Sequence, residues 1–129
     1  MSNYNPQEAL KQYQKLGIES EVSNASPHRL IQMLFEGALG RLAAAQGAMS
    51  RGDAAAKGEL LGRAISIVAG LRSSLDMSAG ELSENLDKLY EYMNFRLLEA
   101  SAQNDAEKVA EVIQLLKTLK SGWDEIAPK

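Results

Sequence analysis

The chain has no cysteine, a single histidine, three prolines, and aromatic residues (Phe, Trp and Tyr) at only 5% of the total. Without thiols there is no disulfide framework, no thiolate metal site and no cysteine nucleophile, and the composition fits a reducing compartment. The lone histidine, His28, leaves no Glu-x-x-His pairs from which a carboxylate-bridged di-metal bundle could be built. It falls in the first turn of a predicted helix, a poor place for a general base that needs an enclosed pocket, and is expected to be exposed with a minor structural role. A histidine phosphotransfer domain would need its histidine exposed in mid-helix. No stretch approaches 18 unbroken apolar residues, and the opening "MSNYNPQEALKQY" has no basic region followed by an apolar run. Neither a membrane span nor a signal peptide is expected, which predicts a cytoplasmic protein without membrane insertion. A net charge of −3 gives no general attraction for nucleic acid or anionic lipid. No catalytic, cofactor-binding or metal-ligating residue is predicted. Glu81, Glu84 and Glu91 read as a solvated face.

What is present is helical punctuation. At 129 residues the chain is one domain, large enough to bury a core without staples. A first short helix is expected from Pro6 to Leu16, stopped at Gly17, and "IESEVSNAS" reads as a loop. "SPHRL" opens a second helix with Ser26 as N-cap and Pro27 at the first helical position, running to about Arg51. Gly52 then stops one helix and Asp53 caps the next, a device repeated at Asn104 and Asp105. Connections so short fold their flanking helices back antiparallel. "LDMSAGELS" breaks the chain around Met77 to Gly80, and a fifth helix extends from Asp105 to about Ile126. No stretch alternates with period two long enough to be a strand. The fold predicted is all-α: residues 1–25 an N-terminal arm and loop, residues 26–127 an antiparallel four-helix bundle.

The apolar faces are wide. On the third helix Leu60, Leu61, Ala64, Ile65, Ile67, Val68, Leu71 and Leu75 cover roughly 160° of arc, where one core-facing stripe needs a little over 100°. The second helix is broad through Leu30, Ile31, Leu34, Phe35, Ala38, Leu42, Ala45 and Met49, with Leu39 beyond its edge. The fifth is broad through Val109, Val112, Ile113, Leu115, Leu116, Leu119, Trp123 and Ile126. Either each helix touches two neighbours in a thick core, or part of the arc is a groove left open for a partner helix. On the fourth helix Leu82, Leu86, Leu89, Tyr90, Met93 and Leu97 form the expected core stripe. Tyr92, Phe95 and Leu98 lie off it, as scattered surface residues or as a recognition surface.

Glycine is placed unusually. Gly37, Gly40, Ala44 and Gly47 share one side of the second helix, and Gly58, Gly62, Ser66 and Gly70 one side of the third. Each helix-interior glycine costs about 0.8–1 kcal/mol relative to alanine, so the six together approach the net stability of a small domain. Such a ridge lets a neighbouring helix come close, and internal packing is the expectation for Gly62, with partner contact and simple exposure as the alternatives.

These residues resemble the flagellar export chaperone family FliS. The resemblance runs from about Leu10 to Ile126, through "QYQKLGIESEV", "ASPHRLIQMLFEGAL", "GDAAAKGELLGRAISIVAGLRSSLD", "LSENLDKLYEYM" and "RLLEASAQNDAEKVAEVIQLL" ending at Trp123. It departs at Phe95, where a basic residue is usual, and at Ser101, where asparagine is. The resemblance implies a non-enzymatic helical bundle that binds the C-terminal segment of flagellin, prevents premature polymerisation and aids delivery to the cytoplasmic domain of the export gate. It implies that Leu10 and Tyr13 on the arm contact that gate and that the arm covers part of the groove. Ile31, Phe35, Leu39, Ile65, Ile67, Tyr92, Phe95 and Leu98 are the candidate groove residues. A monomer is expected when the protein is free, since a permanent interface would consume the groove. A regulatory bundle, either a phosphotransfer domain or an anti-factor sequestering a transcription regulator, is the alternative of a different class.

Overall fold

The computed structural model describes residues 3–15 and 26–126, all of whose regular structure is helical apart from one isolated bridge between Tyr4 and Leu75. The helices are α1 (Pro6–Lys15), α2 (Pro27–Arg51), α3 (Ala54–Ser73), α4 (Glu81–Gln103) and α5 (Ala106–Glu125), with a single 3-10 turn at Met77–Ala79. The stop at Gly17 and the loop up to Ala25 fall outside the described residues. No helix among the described residues is long and apolar enough to cross a membrane.

Local chemistry sets the boundaries. The Ser26 side chain accepts the Arg29 N–H and Pro27 follows it, so α2 begins where the first unpaired amides find a partner. Gly52 ends α2 at φ +70°, and Asp53 accepts the Ala56 N–H to start α3. Asn104 takes the same left-handed stop at φ 55°, and Asp105 accepts the Glu107 N–H. Between α3 and α4, Asp76 caps the 3-10 turn and Gly80 turns the chain at φ +105°. Asn5 caps α1 by accepting the Gln7 and Glu8 amides, ahead of Pro6.

α2 packs against α3 and α5, and α4 packs against the same two, closing a four-helix ring. The antiparallel sense is visible in the cross-links. Arg72 pairs with Asp87, Asn94 Nδ2 donates to the Ile65 carbonyl, and Lys57 Nζ donates to the Ser101 carbonyl, so α3 and α4 run oppositely. Trp123, near the end of α5, donates its indole N–H to the carbonyl of His28 at the start of α2, 3.0 Å away. α1 lies outside the ring against α2 and α3, with Ala9 and Tyr13 buried.

The wide arc on α3 is therefore core. Leu61, Ala64, Ile67, Val68 and Leu71 are buried, and Leu60 and Ile65 pack against them, because α3 touches α2, α4 and α1 together. Two expectations fail at the ends of the bundle. Leu82 and Ile126 are exposed, not core. At the start of α4 the inward position belongs to Ser83, whose hydroxyl donates to Asn3 Oδ1, so the N-terminal segment closes the core there and leaves Leu82 outside.

Candidate partner-binding surfaces

Three surfaces bear on the predicted residues. The first is the outer groove between α2 and α3. α1 lies over one half of it, where an added Cβ on Gly70 would meet Gln12 Cβ at 3.4 Å, so this glycine does allow a close helix approach. Gly37 is crossed by Ile67 Cδ1 at the same distance. Among the described residues the groove continues beyond Lys15 as a cleft of about 370 Å³ lined by Lys15, Arg41, Gly58, Glu59, Gly62, Arg63, Ser66 and Ile67. Among the described residues, a Cβ at Gly58 or Gly62 would meet nothing within 4 Å. The expectation that Gly62 serves internal packing is thus corrected for the described residues: α1 (Pro6–Lys15) does not lie over that turn of α3. Three cationic side chains against one carboxylate make the cleft basic.

The arm residues Leu10 and Tyr13 are not free. Tyr13 is only 4% exposed, so its side chain cannot reach a partner while α1 stays seated, and Leu10 is half-buried against the core with only part of its side chain accessible.

The second surface is the outward face of α4. Tyr92, Phe95 and Leu98 are exposed there, Phe95 by 59%. The patch is framed by ions. Arg96 Nε donates to Glu111 at 2.8 Å, its Nη1 to Glu99 at 3.2 Å, and the Tyr92 hydroxyl donates to the other Glu111 oxygen at 2.6 Å. The Tyr92 hydroxyl and the Arg96 guanidinium hold the Glu111 carboxyl below its usual range, so it stays ionised and keeps both groups in place. Of the other predicted groove residues, Leu39 and Ile65 are half-buried. Ile31, Phe35 and Ile67 are each 1% exposed and belong to the core, because α2 packs against α3, α5 and α1, and α3 against α2, α4 and α1. The eight candidates therefore do not line one surface.

The third surface was not legible as a site. Tyr4 is buried with its hydroxyl bonded to that of Tyr90, and its ring meets Trp123 edge-on at 5.2 Å. His28 stacks on the other part of this cluster, parallel to Trp123 at 4.6 Å. The expected exposed histidine is thus a buried one, with no hydrogen-bond partner for Nε2 among the described residues. The available signals were the lone Trp123 and a tyrosine in "NYNP" ahead of the first helix.

A family model described as "Flagellar protein FliS" matches residues 9–129. The chain belongs to the FliS family. It is 55% identical over 120 residues to the flagellar secretion chaperone FliSB of Pseudomonas aeruginosa, covering 92% of this chain and 95% of that one. It is 45% identical to the flagellar secretion chaperone FliS of Salmonella typhimurium, covering 93% and 90%, and 40% identical to that of Vibrio cholerae, covering 94% and 90%. The FliS match takes in α2 to α5 and the Leu10 and Tyr13 part of the arm, and starts after Tyr4.

Proposed function

We propose that this chain is a cytoplasmic export chaperone that holds the C-terminal segment of flagellin as a helix in the α2/α3 outer groove, keeps it from polymerising and delivers it to the export gate. The observation that carries the reading is α1 itself: a helix of the same chain already lies in that groove, and among the described residues the groove runs on past α1 as a cleft floored by glycine. A longer partner helix can occupy both halves by displacing the arm. Displacement uncovers Leu10 and Tyr13, so loading and gate contact become sequential. The ordering cost of a disordered segment is offset by the apolar surface it buries, and no nucleotide is needed. A phosphotransfer role finds no support in a histidine stacked face to face on Trp123.

The test is calorimetry with a flagellin C-terminal peptide. Gly62→Leu gains most of a kcal/mol of helix propensity, and its Cβ meets no described neighbour, so the free protein should melt no lower than the parent. Peptide affinity should fall tenfold or more. Deleting residues 1–18 should tighten the same interaction, because an intramolecular competitor has gone. Unchanged affinity in both variants would place flagellin elsewhere.

A further inference from the structure

The segment before α1 makes contacts that α1 does not. α1 packs on α2 and α3, whereas residues 3–5 reach the turn after α3 and the helices α4 and α5. The Asn5 N–H donates to the Ser74 carbonyl at 2.6 Å, and the Asp76 N–H donates to the Asn3 carbonyl at 2.7 Å, so the segment pairs as a one-bridge extended strand. Between these two bonds the Tyr4 side chain enters the bundle end and is 6% exposed. Its ring lies against Trp123 and its hydroxyl bonds that of Tyr90, a residue with no exposure at all. The Ser83 hydroxyl donates to Asn3 Oδ1 at 2.9 Å. Withdrawal of residues 3–5 would take partners from the Ser74 carbonyl, the Asp76 amide and the Ser83 and Tyr90 hydroxyls together.

Two backbone bonds read an extended strand whatever its side chains, and one buried hydroxyl reads a phenol. A site built to bond a hydroxyl discriminates strongly against the ring that lacks it, because its own polar group is then left without a partner. We infer that the bundle end formed by Leu75, Tyr90, Trp123 and the Ser74–Asp76 backbone is a binding site for a tyrosine carried on extended chain, filled by Tyr4 at rest, and that it latches the arm. The matched family region begins at residue 9, so the site residues lie within that match and the occupant, Tyr4, lies outside it. Two tethered contacts raise each other's effective concentration, and α1 stays in its groove more than its own contacts would keep it there. That this governs flagellin access rests on the reading above; the latch itself does not.

Hydrogen exchange on the free, full-length protein separates the two. Tyr4→Ala should speed exchange of the α1 amides at least tenfold while core amides of α2 and α5, such as Leu34 and Leu116, keep their protection. Trp123, the only tryptophan, should shift its emission to the red as its edge becomes wet. Added p-cresol, the tyrosine side chain as a free molecule, should restore the Trp123 emission at a concentration at least tenfold lower than toluene needs, and should leave α1 exchange fast, because a free phenol fills the pocket without tethering the arm. Tyr90→Phe, which keeps the ring and removes the hydroxyl, should also loosen α1, and in the Tyr4→Ala background it should erase the preference for p-cresol. Unchanged α1 exchange in Tyr4→Ala would overturn the latch. Loss of protection in α1 and the core together would also overturn it, reducing Tyr4 to an ordinary core residue. Equal rescue by toluene would overturn the phenol site. None of these readouts involves flagellin, so a failure of the flagellin peptide to bind leaves them intact and condemns only the functional reading.

Discussion

His28 shows how far a single residue's role depends on distant chain. Its place in the first turn of α2 is a local fact, but its burial comes from Trp123, ninety-five residues on, which stacks on the ring and bonds the carbonyl. The two phenylalanines divide in the same way. Phe35 is a groove candidate in the sequence, yet α2 has three packing neighbours and the residue is 1% exposed in the core. Phe95, judged off the core stripe from its angle alone, is on the surface. Phe35→Ala should therefore cost about 3–5 kcal/mol in a urea titration followed by circular dichroism. Phe95→Asp should stay within about 0.5 kcal/mol of the parent. Comparable losses in the two variants would show that burial had been misread at one of them.

At the scale of elements, the boundaries were legible because they depend on groups within four residues of each other. Ser26 with Pro27, Gly52 with Asp53, and Asn104 with Asp105 each satisfy or release helix-end amides and carbonyls in the positions expected. Asp105→Ala should cost about 0.5–2 kcal/mol, and a thermal melt showing no change would mean that another group satisfies the first amides of α5. Which part of a wide apolar arc is core was less legible. α3 has three packing neighbours, so its whole arc is used, whereas Leu82 and Ile126 lie at helix ends and are exposed among the described residues. The glycine ridge divides for the same reason: Gly70 lies beneath α1 and Gly62 just beyond it.

For the whole molecule, the N-terminal segment and α4 are joined by the Tyr4–Tyr90 pair, and this has a pH consequence. Burial pushes the Tyr4 phenol up to about 12, and burial, with the neighbouring Tyr4, pushes Tyr90 well above the ordinary value of 10. Unfolded tyrosines ionise near 10, so between about pH 10 and 12 the unfolded chain holds fewer protons than the folded one. Stability present below pH 10 should accordingly be lost as pH rises, by about 1.4 kcal/mol per pH unit for Tyr4 alone. Urea titrations at pH 9, 10 and 11 on the parent and on a Tyr4→Phe/Tyr90→Phe protein measure it. A slope of the same size in the double variant would assign the alkaline loss to other groups.

The helical class, the five helices, their caps and their antiparallel connections were determined by the chain itself, since spacing, capping side chains and two-residue turns act over short range. The resemblance to FliS was likewise carried by ordered local blocks, and the family match bears it out. Tertiary structure alone decided which apolar faces are covered. It seated α1 in the α2/α3 groove, buried Ile31, Phe35 and Ile67, left Gly62 without a neighbour among the described residues, and assembled Tyr4, His28, Tyr90 and Trp123 into one aromatic cluster. The physical reason is that burial is a property of neighbours. Residues far apart in the chain become neighbours only when whole helices pack, and no local periodicity states which helix ends first.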